Sequence, residues 1–573
     1  MPAKLLMLQG SSSSVGKSLL VAALCRIYAR RGIKVAPFKA QNMSNNAAVC
    51  ADSSEIGRAQ ALQALAAGVA PTVDMNPVLI KPEADSRSQI ILMGRAWQTL
   101  DAKDYYDEIN GTRTRADASR TDDSKKNQRP SAFISVPSKT VLWENATAAL
   151  DRLRAEYDLV IIEGAGSAAE LNLKRGDIVN MAIAQYANAP VLLVGDIDRG
   201  GIFAQLLGTH WLLEPAERAL VCGFIVNKFR GDITLFQDGV QIIEDKAGIP
   251  VLGVIPYLRD LSLPDEDAVS IENGTRINAD ASRADIDLDN PRSSASFAIS
   301  VPTIDIVILK LPRIANFDDF DPLRNEAGVC VRYVASVAEF GNPDAVIISG
   351  TKSTIADLEW LRQNGLADAI IQFAKQGGAI VGICGGYQML GQWIADPHRV
   401  ESKEERVSGL GLLPVTTEFS KEKNTYQTQA RINCERGWLS RLHGAMVNGY
   451  EIHNGETIVI LSEAKNLYDN PRDPSLALRV TGENSFLRLA RNNASDGYIS
   501  PGGKLWGCYL HGIFNNDDFR HAWLESLGWK NHPRVKSQAQ ALEETLTALA
   551  DAVESALDME ALDEIVFGLR LQV

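Results

Sequence analysis

Nucleophilic chemistry has one strong candidate, the stretch Ala379-Ile-Val-Gly-Ile-Cys384-Gly-Gly-Tyr-Gln388-Met-Leu-Gly391. Ala379 to Ile383 reads as a short buried strand, and Tyr-Gln-Met-Leu opens a helical pattern. A strand turning sharply into a helix holds its turn residue in a strained, exposed position, and the two glycines let the backbone make that turn. Amide N–H groups at the start of the helix favour the anionic thiolate, which is the attacking form. A lone buried cysteine is usually structural; the Gly-x-Cys-Gly-Gly turn after an apolar strand reverses that reading. Cys384 is therefore expected to be a nucleophile on an elbow.

A thiolate nucleophile needs a base that takes its proton and returns it to the leaving amine. The chain has seven histidines. His398, His443, His521 and His532 stand in polar loop or helix contexts and read as solvated, and His210 belongs to the first half. His453, in Tyr450-Glu-Ile-His-Asn, and His511, in Cys508-Tyr-Leu-His-Gly, remain. His511 ends an apolar strand and is followed by Gly, so it is preferred. No third, orienting carboxylate is apparent: Ile513 stands where Glu would complete the common triad. Asp344-Ala-Val-Ile-Ile-Ser-Gly350 is a strand ending in a Gly loop, and the amides of Gly350 and Gly385 are the candidate oxyanion donors.

A second chemistry sits at the other end of the chain. Leu5 to Leu8 is a short strand, followed by Gly10-Ser-Ser-Ser-Ser-Val-Gly16-Lys17-Ser18 and a helix ending near Arg31-Gly32. This is a phosphate-cradling loop with five residues between its glycines in place of the usual four. Gly10, Gly16 and Lys17 would hold phosphate, and Ser18 would ligate Mg²⁺. Glu163, ending the strand Tyr157-Asp-Leu-Val-Ile-Ile-Glu163, is the second metal candidate, and Asp52 a further one. Asn227-Lys228 resembles the Asn-Lys loops that hold a nucleotide base. Asn42, Arg58, Gln60 and Asn76, grouped in loops after strands, suit a large polar ligand. Asp198 and Arg199 stand at the end of a further strand. Each of these polar residues, taken singly, would more commonly cap a helix or satisfy a turn.

Strands alternating with helices around these motifs predict a doubly wound parallel sheet with ligands at the strands' carboxyl ends. The chain has 573 residues, too many for one core. The expected division is a P-loop domain over 1–265, a linker over 266–303, a second α/β domain around Cys384 over 304–530 and a helical tail over 531–573. Asn110-Gly-Thr-Arg-Thr-Arg-Ala-Asp-Ala-Ser-Arg120 and Asn273-Gly-Thr-Arg-Ile-Asn-Ala-Asp-Ala-Ser-Arg283 match at nine of eleven positions. They read as duplicated polar inserts, about 110–138 and 272–302, with no part in catalysis, and 462–479 as a third loop-like insertion. The net charge of −13 argues against non-specific nucleic-acid binding. Seven scattered cysteines fit a reducing cytoplasm, and no apolar run is long enough for a membrane span.

Several stretches together closely resemble the cobyric acid synthases, glutamine-dependent amidotransferases of cobalamin biosynthesis. They are Ala40-Gln-Asn-Met43, Glu55-Ile-Gly-Arg-Ala-Gln60, Val73-Asp-Met-Asn-Pro77, Asp196-Ile-Asp-Arg-Gly-Gly201, Asn227-Lys-Phe-Arg-Gly-Asp232 and Leu311-Pro-Arg-Ile-Ala-Asn-Phe-Asp-Asp-Phe-Asp-Pro322. The resemblance covers nearly the whole chain outside the inserts. The five-residue gap and the missing triad Glu are also similar to this branch; Ser14 departs from the acidic residue expected before Val15-Gly16. The resemblance implies an α/β chain, a P-loop domain followed by a class I glutamine amidotransferase-like domain. It implies L-glutamine as nitrogen donor, ATP-Mg as co-substrate, no tightly bound prosthetic group, and adenosylcobyrinic acid a,c-diamide, a corrinoid, as substrate. Ammonia would cross between the sites by an internal passage. Two other readings are a cobyrinic acid a,c-diamide synthase and a P-loop ATPase switch with an inactive glutaminase-like module.

Overall fold

The computed structural model describes residues 2–84, 87–101, 139–258, 263, 304–402, 404–460, 485–530 and 537–568. The repeated inserts, the segment 462–479 and His532 lie outside them. The chain divides into two compact units: Met1–Ser44, Ser54–Leu263 and Leu542–Val573 form one, and Asn45–Ser53 with Pro264–Ala541 form the other.

The first unit is built on six parallel strands. Their spatial order is Val251–Pro256, Val221–Phe229, Val191–Asp196, Lys4–Gly10, Leu159–Glu163, Val35–Phe38. The central strands read as continuous apolar runs because both faces are covered, and Leu159–Glu163 and Val191–Asp196 are buried along their whole length. The order reverses direction around Lys4–Gly10, so Gly10, Glu163 and Asp196 end their strands side by side, where such sheets bind ligands. A smaller four-stranded sheet adds Gln41–Met43, Val78–Ala84, Arg87–Leu92 and Arg95–Asp101. Its last hairpin turns on Met93 (φ 48°) and Gly94 (φ 74°), the pair of positive φ values that a two-residue type I′ turn requires.

The C-terminal helices, Gln538–Ala556 and Met559–Phe567, pack on the helix Lys17–Arg30. Leu546, Leu549, Val553, Leu562 and Val566 join its core, while Arg30 and Arg31 pair with Asp551, Glu554 and Asp563. Tyr28 donates a 3.0 Å hydrogen bond to Asp563. The helix that begins with the phosphate-loop lysine is thus braced from residues more than 500 positions later.

The second unit has its own six-stranded sheet, ordered Val329–Val334, Ile304–Leu309, Ala345–Ile348, Ala379–Ile383, Leu505–Cys508, Tyr498–Ile499. All neighbours are parallel except the last pair. A long antiparallel hairpin, Val415–Ile432 with Met446–Val459, forms a second sheet. The segment Asn45–Ser53 attaches here: the Ala47 N–H donates to Asn316 Oδ1 at 3.0 Å, and Gln427 Nε2 donates to the Val49 carbonyl at 2.6 Å.

The tail's contribution is measurable. Leu546 is fully buried, so Leu546→Ala should lower the stability of the first unit by about 2–5 kcal/mol. Chemical denaturation monitored on the full chain checks this, and an unchanged midpoint would mean the tail is only loosely attached.

Candidate active site

Cys384 follows the strand Ala379–Ile383 and precedes the helix Gly385–Leu390, with φ 54° and ψ −111°. A positive φ at a non-glycine residue is a strained conformation, and here the turn is held from both sides. A side chain at Gly386 would collide with the Ile348 carbonyl at 2.0 Å, so only glycine lets the helix start this close to the sheet. The elbow expected from sequence is present.

His511 lies beside it, three residues beyond the end of Leu505–Cys508, which pairs with the cysteine's own strand. The two residues are both buried. A Cβ at Gly350 would sit 3.0 Å from His511 Cε1 and 3.6 Å from Cys384 Cβ. Gly350 therefore brings bare backbone against both groups. Its loop is anchored by the buried Asp357, which accepts from Thr351 Oγ1, from the Arg313 backbone at 3.2 Å and from the Arg313 guanidinium at 3.0 Å.

Sequence reasoning missed the third member. Asp319 Oδ2 stands 2.6 Å from His511 Nδ1, and its Oδ1 accepts from the Gly512 N–H at 2.9 Å. The orienting carboxylate comes from a different loop than the position of Ile513, which is filled by an apolar core side chain. The motif Leu311–Pro322 contains Asp319, but three acidic residues occur there and nothing local distinguishes them. Burial alone would push the His511 imidazolium down; the Asp319 carboxylate, with Cys384 and its hydrogen bonds, outweighs that and raises it to about 10. The Tyr450 ring stacks on the imidazole at 5.2 Å, and the two residues exchange backbone hydrogen bonds of 3.2 and 2.9 Å.

The other described histidines of the second unit make different contacts. His453 is buried, stacks on Tyr509 at 3.7 Å and directs Nδ1 to the Gly455 carbonyl. His398 and His443 are exposed. His521 is a correction: it is not solvated but pairs with Glu326 at 2.9 Å and stacks on Trp529, because its helix turns that face inward.

In the first unit, Gly16 has φ 96° and closes the loop, and a Cβ there would strike Asn227 Nδ2. Lys17 Nζ donates to the carbonyls of Ser12 (3.1 Å) and Gly166 (2.8 Å). Asn227 donates to the Val15 carbonyl, and Lys228 reaches both Ser14 (2.7 Å) and Asp196 (2.8 Å). The Asn-Lys pair thus buttresses the phosphate loop itself. A Cβ on Gly10 would lie 2.5 Å from Lys17 Nζ.

Glu163 is fully buried and receives Ser18 Oγ at 2.9 Å, Lys39 Nζ at 2.8 Å and Gln63 Nε2 at 2.6 Å. Burial opposes its charge, but Lys39, then Gln63 and Ser18, hold the carboxyl below the usual range. Lys39 and Gln63 were not singled out from sequence. The oxygens of Ser18 and Glu163 form a donor pair of the kind Mg²⁺ prefers. Asp52 is exposed and belongs to the segment Asn45–Ser53 of the second unit.

Asn42, Gln60 and Asn76 are brought together, but facing one another. Asn42 Nδ2 donates to Gln60 Oε1 at 3.0 Å, and Asn76 receives the Gly57 N–H at 3.2 Å while donating to Lys39 and Val78 carbonyls. Arg58 begins the following helix. Arg199 is exposed, and Asp198 pairs with Arg230 at 2.6 Å.

If Asp319 sets the imidazole, Asp319→Asn should lower glutamine hydrolysis by roughly 10²–10⁴-fold. A raised imidazolium contributes stability that is complete below the unfolded value, about 6.5, and is lost as pH climbs through about 10. The stability gap between wild type and Asp319→Asn should therefore be widest near pH 6 and shrink towards pH 10. A gap independent of pH, with normal hydrolysis, contradicts this.

Residues 6–271 match the CobQ/CobB/MinD/ParA nucleotide binding domain, and residues 305–519 match the CobB/CobQ-like glutamine amidotransferase domain. Over 570 residues, 99% of each chain, the sequence is 49% identical to a cobyric acid synthase of Chloroflexus aggregans. It is 48% identical to that of Chloroflexus aurantiacus over 99% of this chain and all of the relative. The cobyric acid synthase of Herpetosiphon aurantiacus is also 48% identical, over 99% of both chains. A phosphate loop in one unit and a cysteine elbow in the other are thus joined to similarity along the whole length, and the chain belongs to the cobyric acid synthase family, as a glutamine amidotransferase of the ligase type.

Proposed function

We propose that the chain amidates the b, d, e and g carboxylates of adenosylcobyrinic acid a,c-diamide to give adenosylcobyric acid, using ATP and glutamine. The observation that carries the chemistry is the 2.6 Å contact between Asp319 and His511 beside the Cys384 elbow. The corrinoid substrate rests on the name shared by the full-length relatives.

Cys384 Sγ attacks the side-chain amide carbon of glutamine. The oxyanion that forms is met by the amides of Gly350 and Gly385. Asp319 holds Nδ1 of His511, so Nε2 is the nitrogen that delivers a proton to the departing ammonia. The resulting thioester is opened by water, whose proton His511 takes, and glutamate leaves.

A free carboxylate is a poor acyl donor, so the first unit must activate it. Lys17, now bonded to loop carbonyls, is placed to turn to ATP phosphate oxygens. Glu163 and Ser18 would hold Mg²⁺, which supplies charge neutralisation on those phosphates. The carboxylate oxygen takes the terminal phosphoryl group as ADP departs; ammonia then attacks the acyl carbon, loses a proton, and displaces phosphate.

Separate sites make a clear prediction. Cys384→Ala should abolish glutamine-driven synthesis and glutamine hydrolysis yet keep synthesis from added ammonium. Both activities are read on the corrinoid product by chromatography. Persistent hydrolysis, or loss of ammonium-driven synthesis in a folded variant, would overturn the reading.

A further inference from the structure

The loop that carries Asp319 also carries a second polar side chain at the imidazole. Asn316 is buried, with φ 51° and ψ 44° in the left-handed region that Asn tolerates. Its Nδ2 lies 3.5 Å from His511 Nε2, while its Oδ1 accepts the Ala47 N–H at 3.0 Å. A backbone N–H can only donate, so Ala47 settles which end of the amide is oxygen and therefore which end faces the ring. The ring's other nitrogen is taken by Asp319.

We propose that Asn316 is a positioning residue for the glutaminase base: its amide, oriented by the Ala47 backbone, presents an N–H donor to the working nitrogen of His511. The assignment rests on the Cys384–His511 reading above and adds a residue to it. A donor at Nε2 meets a lone pair only when that nitrogen lacks its proton. Asn316 therefore favours the ring just after it has protonated the departing ammonia, and keeps Nε2 aimed at the reacting atoms. With the amide reversed, Oδ1 would accept Nε2–H and compete with the leaving nitrogen for that proton. Ala47, through one hydrogen bond, prevents the reversal. Gln427, by holding the Val49 carbonyl, keeps Ala47 in place. Asp319, Cys384 and Tyr450 are the other ionisable side chains that face this imidazole among the described residues.

Two variants of the full-length protein test this. Asn316→Asp keeps the oxygen for Ala47 and the backbone conformation but puts a carboxylate oxygen at Nε2. Ala47→Pro removes the orienting N–H. For Asn316→Asp we expect kcat for glutamine hydrolysis to fall about tenfold, with KM changing by less than about twofold. The alkaline limb of its pH profile should move up by about one unit, because an adjacent carboxylate retains the imidazolium proton. Ala47→Pro should move the limb in the same direction by less, and ammonium-driven synthesis should be unchanged in both. A wild-type kcat and pH profile for Asn316→Asp, or joint loss of hydrolysis and ammonium-driven synthesis, overturns the proposal. If Ala47→Pro does not fold, Asn316→Asp alone decides. Cys384→Ala run alongside separates the two failures: active Cys384→Ala removes the site itself, whereas inactive Cys384→Ala with a neutral Asn316→Asp removes only the role of Asn316.

Discussion

A buried imidazole stays where it is useful only if something compensates its burial, and in this chain that is the Asp319 carboxylate. Two charges taken out of water are costly unless each is paired and hydrogen-bonded. Asp319 meets that condition with both oxygens engaged, one on the ring and one on the Gly512 backbone. The arrangement fixes the ring's orientation and its Nδ1 proton, leaves Nε2 turned away from the carboxylate, and ties the loop 311–322 to the segment that follows the strand Leu505–Cys508. Removing either partner would leave the other as an uncompensated buried charge, so the site and the local fold depend on the same contact.

The first unit shows the same economy with another carboxylate. Glu163 has no exposure to water, yet three side chains from separate segments, Ser18, Lys39 and Gln63, converge on it. This network links the end of one strand, the start of the phosphate-loop helix and the strand end at Lys39. A nucleotide and its metal would enter a set of groups already oriented. Lys17 and Lys228 are likewise held by backbone carbonyls of the loop and its neighbours rather than left to wander. Preorganisation of this kind lowers the ordering cost at binding.

What the sequence disclosed depended on how local each signal was. Cys384 and Lys17 sit in contiguous strand–turn–helix motifs, where glycine spacing carries steric information, and both were legible. His511 was reachable by elimination because so few histidines exist. Asp319 was not, since its meaning comes only from long-range folding that sets a loop against a distant strand end. The same limit applies to Asn42, Gln60 and Asn76: their grouping was visible, but not that they turn towards one another around Gly57. His521 follows Arg520 in a run that also holds Asp517 and Asp518, yet the Trp529 ring lies against it in space. The hairpin at Met93-Gly94 escaped notice because Met is an uncommon residue at a positive φ. The helical pattern of the tail was readable; that it braces the phosphate-loop helix was not.

The central claim is that one sulfur, among seven cysteines, attacks glutamine. The direct measurement is peptide mass spectrometry after treatment with an electrophilic glutamine analogue, a diazoketone in place of the amide, with and without excess glutamine as protectant. The account predicts one adduct per chain, on Cys384, suppressed by glutamine and accompanied by loss of glutamine hydrolysis. Complete inactivation with Cys384 unmodified, or glutamine-protected labelling at another cysteine, would contradict it.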